Sequence, residues 1–204
     1  MIKNLYVIRH GEAEHLLENK FTGGWTNSCL TDKGRFQAKK TGQCLDRFIR
    51  NHDYEFYCSD LARAVESANI IGEGIDKIPI PTGKLRELNN GDAANLTPEE
   101  AKKIALPETE PFMDWIHYPN AESWGDMNNR VFGFMNMLMH SDKENFLIVT
   151  HRGVIVSIID WWLELNDFYM NKISYDIDPS SITYLRINKW GEKTISKLND
   201  VSHL

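Results

Sequence analysis

The chain has 204 residues, 42% of them hydrophobic and 25% charged, which suits one soluble globular domain with a large core. Its formal net charge of −6 argues against nucleic acid or an acidic membrane as the main partner. A small anionic substrate stays open, because a local cluster of Arg and His overrides a distant negative surface.

The first predicted strand is Asn4–Ile8, and it runs straight into Arg9-His10-Gly11-Glu12. A cation and an imidazole thus stand where a strand stops, the place where α/β folds commonly bind ligands. Thr31 is a good N-cap for a helix running to about Ile49. A second strand, Glu55–Cys58, leads into Ser59-Asp60-Leu61-Ala62-Arg63-Ala64 and a helix from Leu61 to Ile71, which Gly72 and Gly74 are expected to end. From Leu88 to Asn120 the chain carries four prolines and no clear strand. Thr97-Pro98-Glu99-Glu100 within it is a capping box with Pro at the first helical position. This stretch, about 88–120, reads as an insertion folding over the sheet as a cap or lid.

Ser123 caps a further helix to His140, and the strand Phe146–Val149 leads through Thr150 to His151-Arg152-Gly153 and an apolar helix over 152–164. Its apolar run, Val154 to Leu163, is broken by Ser157 and Asp160 and is too short to cross a bilayer. The strand Ile182–Ile187 and a weaker one at Lys193–Leu198 complete the chain. Strands alternating with helices predict an α/β fold: a three-layer sandwich with a largely parallel central sheet, helices on both faces and a small cap insertion, all in one domain over 1–204. Three cysteines (Cys29, Cys44, Cys58), no Cys-x-x-Cys pair and no signal peptide predict reduced thiols and a cytoplasmic location.

Three strand ends thus deliver Arg9, His10, Arg63, His151 and Arg152 to one edge of the sheet, beside two helix N-termini. Such a set suits a phosphoryl group. Each residue alone has a plainer reading. Arg63 could pair with Glu66, Arg9 with another carboxylate, and a single His after a strand is more often surface or core. The same placement on three strands makes coincidence the weaker explanation.

These segments resemble the histidine phosphatase superfamily, which includes phosphoglycerate mutases and many small phosphatases. The matching segments are Tyr6-Val-Ile-Arg9-His10-Gly11-Glu12, Leu30-Thr-Asp-Lys-Gly34 with Gln37-Ala38, and Ser59 to Ala68. Leu85-Arg86-Glu87-Leu88 with Gly91, Asn120 to Ser123, and Val149 to Ile155 follow in the same order. The resemblance implies that His10 attacks phosphorus and forms a phosphohistidine. It implies that Arg9, Arg63 and His151 hold the equatorial oxygens, and that Glu87 protonates the leaving oxygen and later activates water. No metal and no other cofactor is implied, and no metal-ligand spacing stands out in the chain. Asp60 and Asp92 are rival acids, and Glu87 could instead form a surface ion pair with Arg86.

The chain departs from the family at several points. Ala13 and Leu16 stand where many members have a small hydroxyl residue and an Asn. Glu18 to Trp25 resembles the mutase substrate loop, with Thr22 and the backbone of Gly23 as contacts to phosphate or substrate, or as a surface turn. Gly91-Asp92-Ala93-Ala94-Asn95 replaces Gly-x-Trp-Glu-Gly, and Arg152 replaces a Gly, facing solvent or adding a cation at the mouth. His15, near the signature, could approach the substrate but reads rather as a surface residue, and Trp161-Trp162 reads as core.

The expected activity is metal-independent hydrolysis of a small phosphorylated metabolite. The alternatives are mutase-type phosphoryl transfer and non-catalytic phosphate-ligand binding. Between Leu88 and Asn120 only Lys102 and Lys103 are fixed cations, against six Asp and Glu, which should repel a second anionic group. The physiological substrate and the oligomeric state are not legible in the sequence.

Overall fold

The alternating apolar run before Arg9 forms strand β1 (Asn4–Arg9), flanked by neighbours on both sides. Leu5 and Val7 point to one face of the sheet and Tyr6 and Ile8 to the other, the period of a strand buried on both sides. The computed structural model describes residues 1–19, 22–170 and 172–204. β2 (Glu55–Ser59), β3 (Ile80–Thr82), β4 (Asn145–Thr150), β5 (Ile182–Ile187) and β6 (Lys193–Asp200) complete a sheet of order β3-β2-β4-β1-β5-β6. β3, β2, β4 and β1 run parallel; β5 is antiparallel to β1, and β6 to β5.

Helices cover both faces. α1 (Asp32–Ile49) and α2 (Ala62–Ile75) bury Ala38, Leu45, Ile49, Ala68, Ile71 and Ile75 against one. α4 (Trp124–Met139) and α5 (Arg152–Leu163) bury Met127, Val131, Met135, Val154, Ile155, Ile158 and Trp162 against the other. Each fully buried aliphatic side chain contributes roughly 1.5–3 kcal/mol. The molecule is therefore the expected three-layer α/β sandwich. Trp162 is buried in the core and Trp161 is packed partly against it.

The capping residues do what their types predict. Thr31 accepts from Gly34 N–H, while Thr97 and Ser123 each form a complete capping box, opening α3 (Pro98–Ile104) and α4. α2 differs from expectation: it passes through Gly72 and Gly74 and ends at Asp76, in the left-handed region at φ 56°. A Cβ on Gly74 would lie 3.1 Å from Gly42 Cα, so this glycine serves backbone-to-backbone packing of α2 on α1. β3 is not among the strands that the sequence predicts. It has three residues, one of them Pro81, and lies at the sheet edge, where a strand needs neither length nor an unbroken set of N–H donors. A short helix α6 (Asp167–Met170) follows α5.

Register builds the site. Arg9 pairs with Thr150 and Cys58 with Val149, so Arg9, Ser59 and Thr150 stand level at the carboxyl ends of three adjacent parallel strands. His10 N–H donates to Thr150 O at 2.9 Å, continuing the pairing one residue beyond the strand. Among the described residues, no helix is long and apolar enough to cross a membrane.

Candidate active site

His10 is 2% exposed at the end of β1. Its Nδ1 lies 2.7 Å from Gly11 O, a carbonyl that can only accept, so Nδ1 carries the hydrogen and Nε2 the lone pair. Arg63 Nε–H points at that lone pair from 3.2 Å, which agrees with the assignment. Burial, then the neighbouring Arg63 and Arg9, holds the imidazole well below the usual His range, so it stays neutral. Gly11 is required by close approach: a Cβ there would lie 2.4 Å from Gly34 O.

Arg63 enters from the first turn of α2 and is 1% exposed. It does not pair with Glu66, which binds Arg35 at 2.6 Å instead. Its Nη1 and Nη2 donate to Thr26 O (3.0 Å) and Gly24 O (2.8 Å). Burial pushes its pKa down to about 10, which leaves the guanidinium charged at neutral pH. Arg9 donates through Nη1 to Ile177 O at 2.7 Å, and its buried Nε has no acceptor among the described residues.

His151 caps the start of α5, is fully buried, and packs edge-on to His10 with ring centroids 5.1 Å apart. Ser59 Oγ accepts from Leu61 N–H and lies 2.8 Å from His151 Nε2. The serine hydrogen is thus free to donate to Nε2, placing the proton of a neutral His151 on Nδ1, a buried atom with no partner among the described residues. Burial, then the charge of Arg63, holds this ring too well below the usual His range.

Glu87 follows the 3-10 turn Gly83–Leu85 and lines the cavity above His10. Its Oε1 accepts from Leu88 N–H (3.0 Å) and its Oε2 from Gly153 N–H (3.2 Å). Its charge offsets the burial of both Arg9 and Arg63. The rival acids are engaged elsewhere. Asp60 takes both arms of Arg86 at 2.7 Å, so Arg86 does not pair with Glu87, and Asp92 accepts from Asn120.

The cavity is about 800 Å³. Thr22 and Gly23 stand on its wall, but the Thr22 hydroxyl donates to Ala93 O rather than facing a ligand. Thr26 likewise donates to Asn95, so the segment that replaces the family's Trp and Glu anchors the 22–26 loop. Lys20 and Phe21 of the expected substrate loop lie outside the described residues. Arg152 is exposed at the cavity mouth, combining the two readings of its position. Residues 88–120 supply Leu88, Asn90, Pro98, Phe112 and Met113 to the wall, whereas Lys102 and Lys103 are exposed away from it.

His15 is a correction: it is buried on the cavity wall, not on the surface. Its backbone N–H donates to Ser28 Oγ (3.1 Å), whose own hydrogen is free to donate to His15 Nδ1 (3.0 Å). That leaves Nε2–H as a neutral donor. Burial, then Arg63 and Arg9, brings its pKa down to about 4. Ala13, buried against Leu30, and Leu16, on the wall, offer no polar group where the family has two, and His15 is the neutral donor that stands beside them. Asp160 and Asn128, outside every sequence motif, also line the cavity. The sequence signal for Asp160 is a carboxylate inside the apolar run of α5.

A sequence model of the histidine phosphatase superfamily (branch 1) matches residues 5–201. The chain is 30% identical over 164 residues to an acid phosphatase of Mycobacterium tuberculosis, covering 79% of this chain and 76% of that protein. It is 34% identical over a 218-residue alignment to 2,3-bisphosphoglycerate-dependent phosphoglycerate mutase 2 of Bacteroides thetaiotaomicron, covering 90% and 86%. The solved mycobacterial glucosyl-3-phosphoglycerate phosphatase with inorganic phosphate superposes with a TM-score of 0.79 at 21% identity, covering 99% of each chain, and so shares the fold.

Proposed function

The chain belongs to the histidine phosphatase superfamily, and from that membership we propose that it is a metal-independent phosphomonoesterase acting on a small phosphorylated metabolite through a phosphohistidine at His10. One arrangement carries the reading. The imidazole lone pair at His10 Nε2, met by Arg63 Nε–H, stands with two buried donors that have no acceptor among the described residues, Arg9 Nε and His151 Nδ1. Buried donors are costly to leave unpaired, and a phosphoryl group supplies the acceptors.

A phosphoryl oxygen takes the Arg63 Nε–H that now meets Nε2, and phosphorus takes the lone pair. The N–P bond forms as the ester P–O bond breaks. Arg9, Arg63 and His151 receive the charge spread over the equatorial oxygens, each worth roughly 2–4 kcal/mol of barrier. Glu87 delivers a proton to the departing alkoxide oxygen. In the second half-reaction Glu87 takes a proton from water, whose oxygen attacks phosphorus; the N–P bond breaks, and inorganic phosphate and neutral His10 result. The side chains provide the positive charge a metal would otherwise bring.

Phosphoryl transfer of the mutase type is the second reading, favoured by the 34% identity to a phosphoglycerate mutase. Against it, the cavity wall contributed by residues 88–120 holds no cation to receive a second phosphate or a carboxylate. The deciding experiment incubates the protein with a panel of phosphomonoesters, with and without chelator, and quenches at alkaline pH. Free phosphate release with chelator present, and a phosphate adduct on His10 found by mass spectrometry, support the phosphatase. Transfer to a second acceptor without net hydrolysis supports the mutase. No adduct and no turnover would leave a phosphate-ligand binder.

A further inference from the structure

From His10 the cavity extends along α5, where Arg152, Val156 and Asp160 line it at intervals of four residues, one stripe of the helix. At 1.5 Å rise per residue, the two ends of this stripe lie about 12 Å apart. The Arg152 end also gathers Arg9 and Arg63. The other end is built of acceptors.

Asp160 is 3% exposed, and Tyr175 O–H, at 3.4 Å, is the one hydrogen bond to its carboxylate among the described residues. On its other side it borders a smaller hollow with Lys193, but that ammonium is paired with Glu164 at 2.6 Å. Asn128 is 6% exposed; its Nδ2 donates to Met170 Sδ at 3.5 Å, and its Oδ1 is buried with no partner among the described residues. A thioether accepts and does not donate, so the amide oxygen is the unsatisfied atom. Met113, Trp124, Val156 and Ile173 lie on the same cavity wall. On one cavity wall, a buried carboxylate held by a single long hydrogen bond and an amide oxygen with no partner among the described residues are costly unless a donor arrives.

We infer that Asp160 and Asn128 form a distal subsite for an ammonium group, so that the preferred substrates are phosphomonoesters with an apolar body and a terminal amine. The polarity of the cavity would then set orientation: the phosphate goes to the guanidinium end, the amine to the carboxylate end. A terminal carboxylate or second phosphate would meet Asp160 and be repelled. The inference rests on the phosphomonoesterase reading and names the substrate class of that site.

The test compares kcat/KM for aminohexyl phosphate, hexyl phosphate and the carboxylate-terminated analogue. The wild-type protein is expected to prefer the amine over the plain chain by about tenfold, and over the carboxylate by more, with the difference mainly in KM. In Asp160→Asn, nearly isosteric, the amine preference is expected to fall to about twofold or less, by loss of the charged hydrogen bond. Equal rates for the three esters in the wild-type protein, a comparison that does not depend on the variant folding, would overturn the subsite and leave the phosphatase standing. So would an undiminished amine preference in a folded Asp160→Asn. No turnover of any ester and no phosphohistidine would overturn the phosphatase reading, and the subsite with it.

Discussion

Gly153 makes room for Glu87. Its N–H donates to Glu87 Oε2 at 3.2 Å, and a Cβ on residue 153 would stand 2.5 Å from Oε1. The turn that carries His151 into α5 therefore also holds Glu87, the proposed acid. Gly153→Ala should push the carboxylate away from its seat. Turnover of an alkyl phosphate, whose leaving oxygen needs a proton, is expected to fall about 10–100-fold, in line with roughly 1–3 kcal/mol for overfilling a packed site. Turnover of p-nitrophenyl phosphate, whose leaving group departs unprotonated, should fall far less. Steady-state kinetics on the two esters reads the difference, and an equal loss on both would dissociate Glu87 from the proton transfer.

Arg63 meets Nε2 of His10, the nitrogen proposed to attack phosphorus, and is held from behind by Gly24 O and Thr26 O. Arg63→Ala removes a donor to the transferring phosphoryl group, and kcat is expected to drop by about 10²–10³-fold. Arg63→Lys restores the charge without the fork and should recover only part of that loss. Rapid-quench measurement of phosphohistidine formation should show the deficit in the first half-reaction.

Buried neutral histidines make stability depend on pH. His10, His15 and His151 all have folded-state pKa values below the ordinary 6.5, with His15 at about 4. Below pH 6.5 the unfolded chain binds protons that the folded chain refuses, so stability is full above that pH and falls as pH drops. The contribution of His15 is spent by about pH 4, at ~1.4 kcal/mol per pH unit. Urea denaturation at several pH values between neutrality and pH 4 should show the decline, and His15→Gln should make it less steep. A neutral His10 also predicts that phosphohistidine formation shows no inflection near pH 6.5 from the nucleophile.

Asp160 titrates with the opposite sign. Burial raises its pKa from 3.8 to about 6, so the folded protein carries an ionised buried carboxylate above that pH and bears its cost there. Asp160→Asn should therefore stabilise the protein at pH 7.5, by on the order of 1–2 kcal/mol. The gain should fade as pH falls through 6 and vanish near pH 4, where both states of the wild-type carboxyl are protonated. Thermal melts of the two proteins at the two pH values test this. A residue that costs stability while lining the cavity is the trade expected of a binding group.

Local signals in the chain determined most of the framework. Thr31, Thr97 and Ser123 cap the helices they precede, and the alternation of Leu5 to Ile8 yields a strand buried on both faces, because caps and periodicity act within a few residues. The order of strands and helices likewise led to the parallel sheet and to Arg9, His10, Arg63 and His151 at its carboxyl edge. What local signals could not reach depends on contacts between distant segments. Gly74 looks like a helix stop until Gly42 of α1 packs against it, and β3 exists only because β2 offers it an edge. The resemblance favours Glu87 over its rival Asp60, but only the fold shows the partner each finds, Arg86 for Asp60 and Gly153 N–H for Glu87. His15 became an inward-facing donor through Ser28, thirteen residues away. Helical spacing alone puts Arg152, Val156 and Asp160 on one stripe, but the packing of α5 on the sheet decided that this stripe, with its carboxylate, faces the cavity.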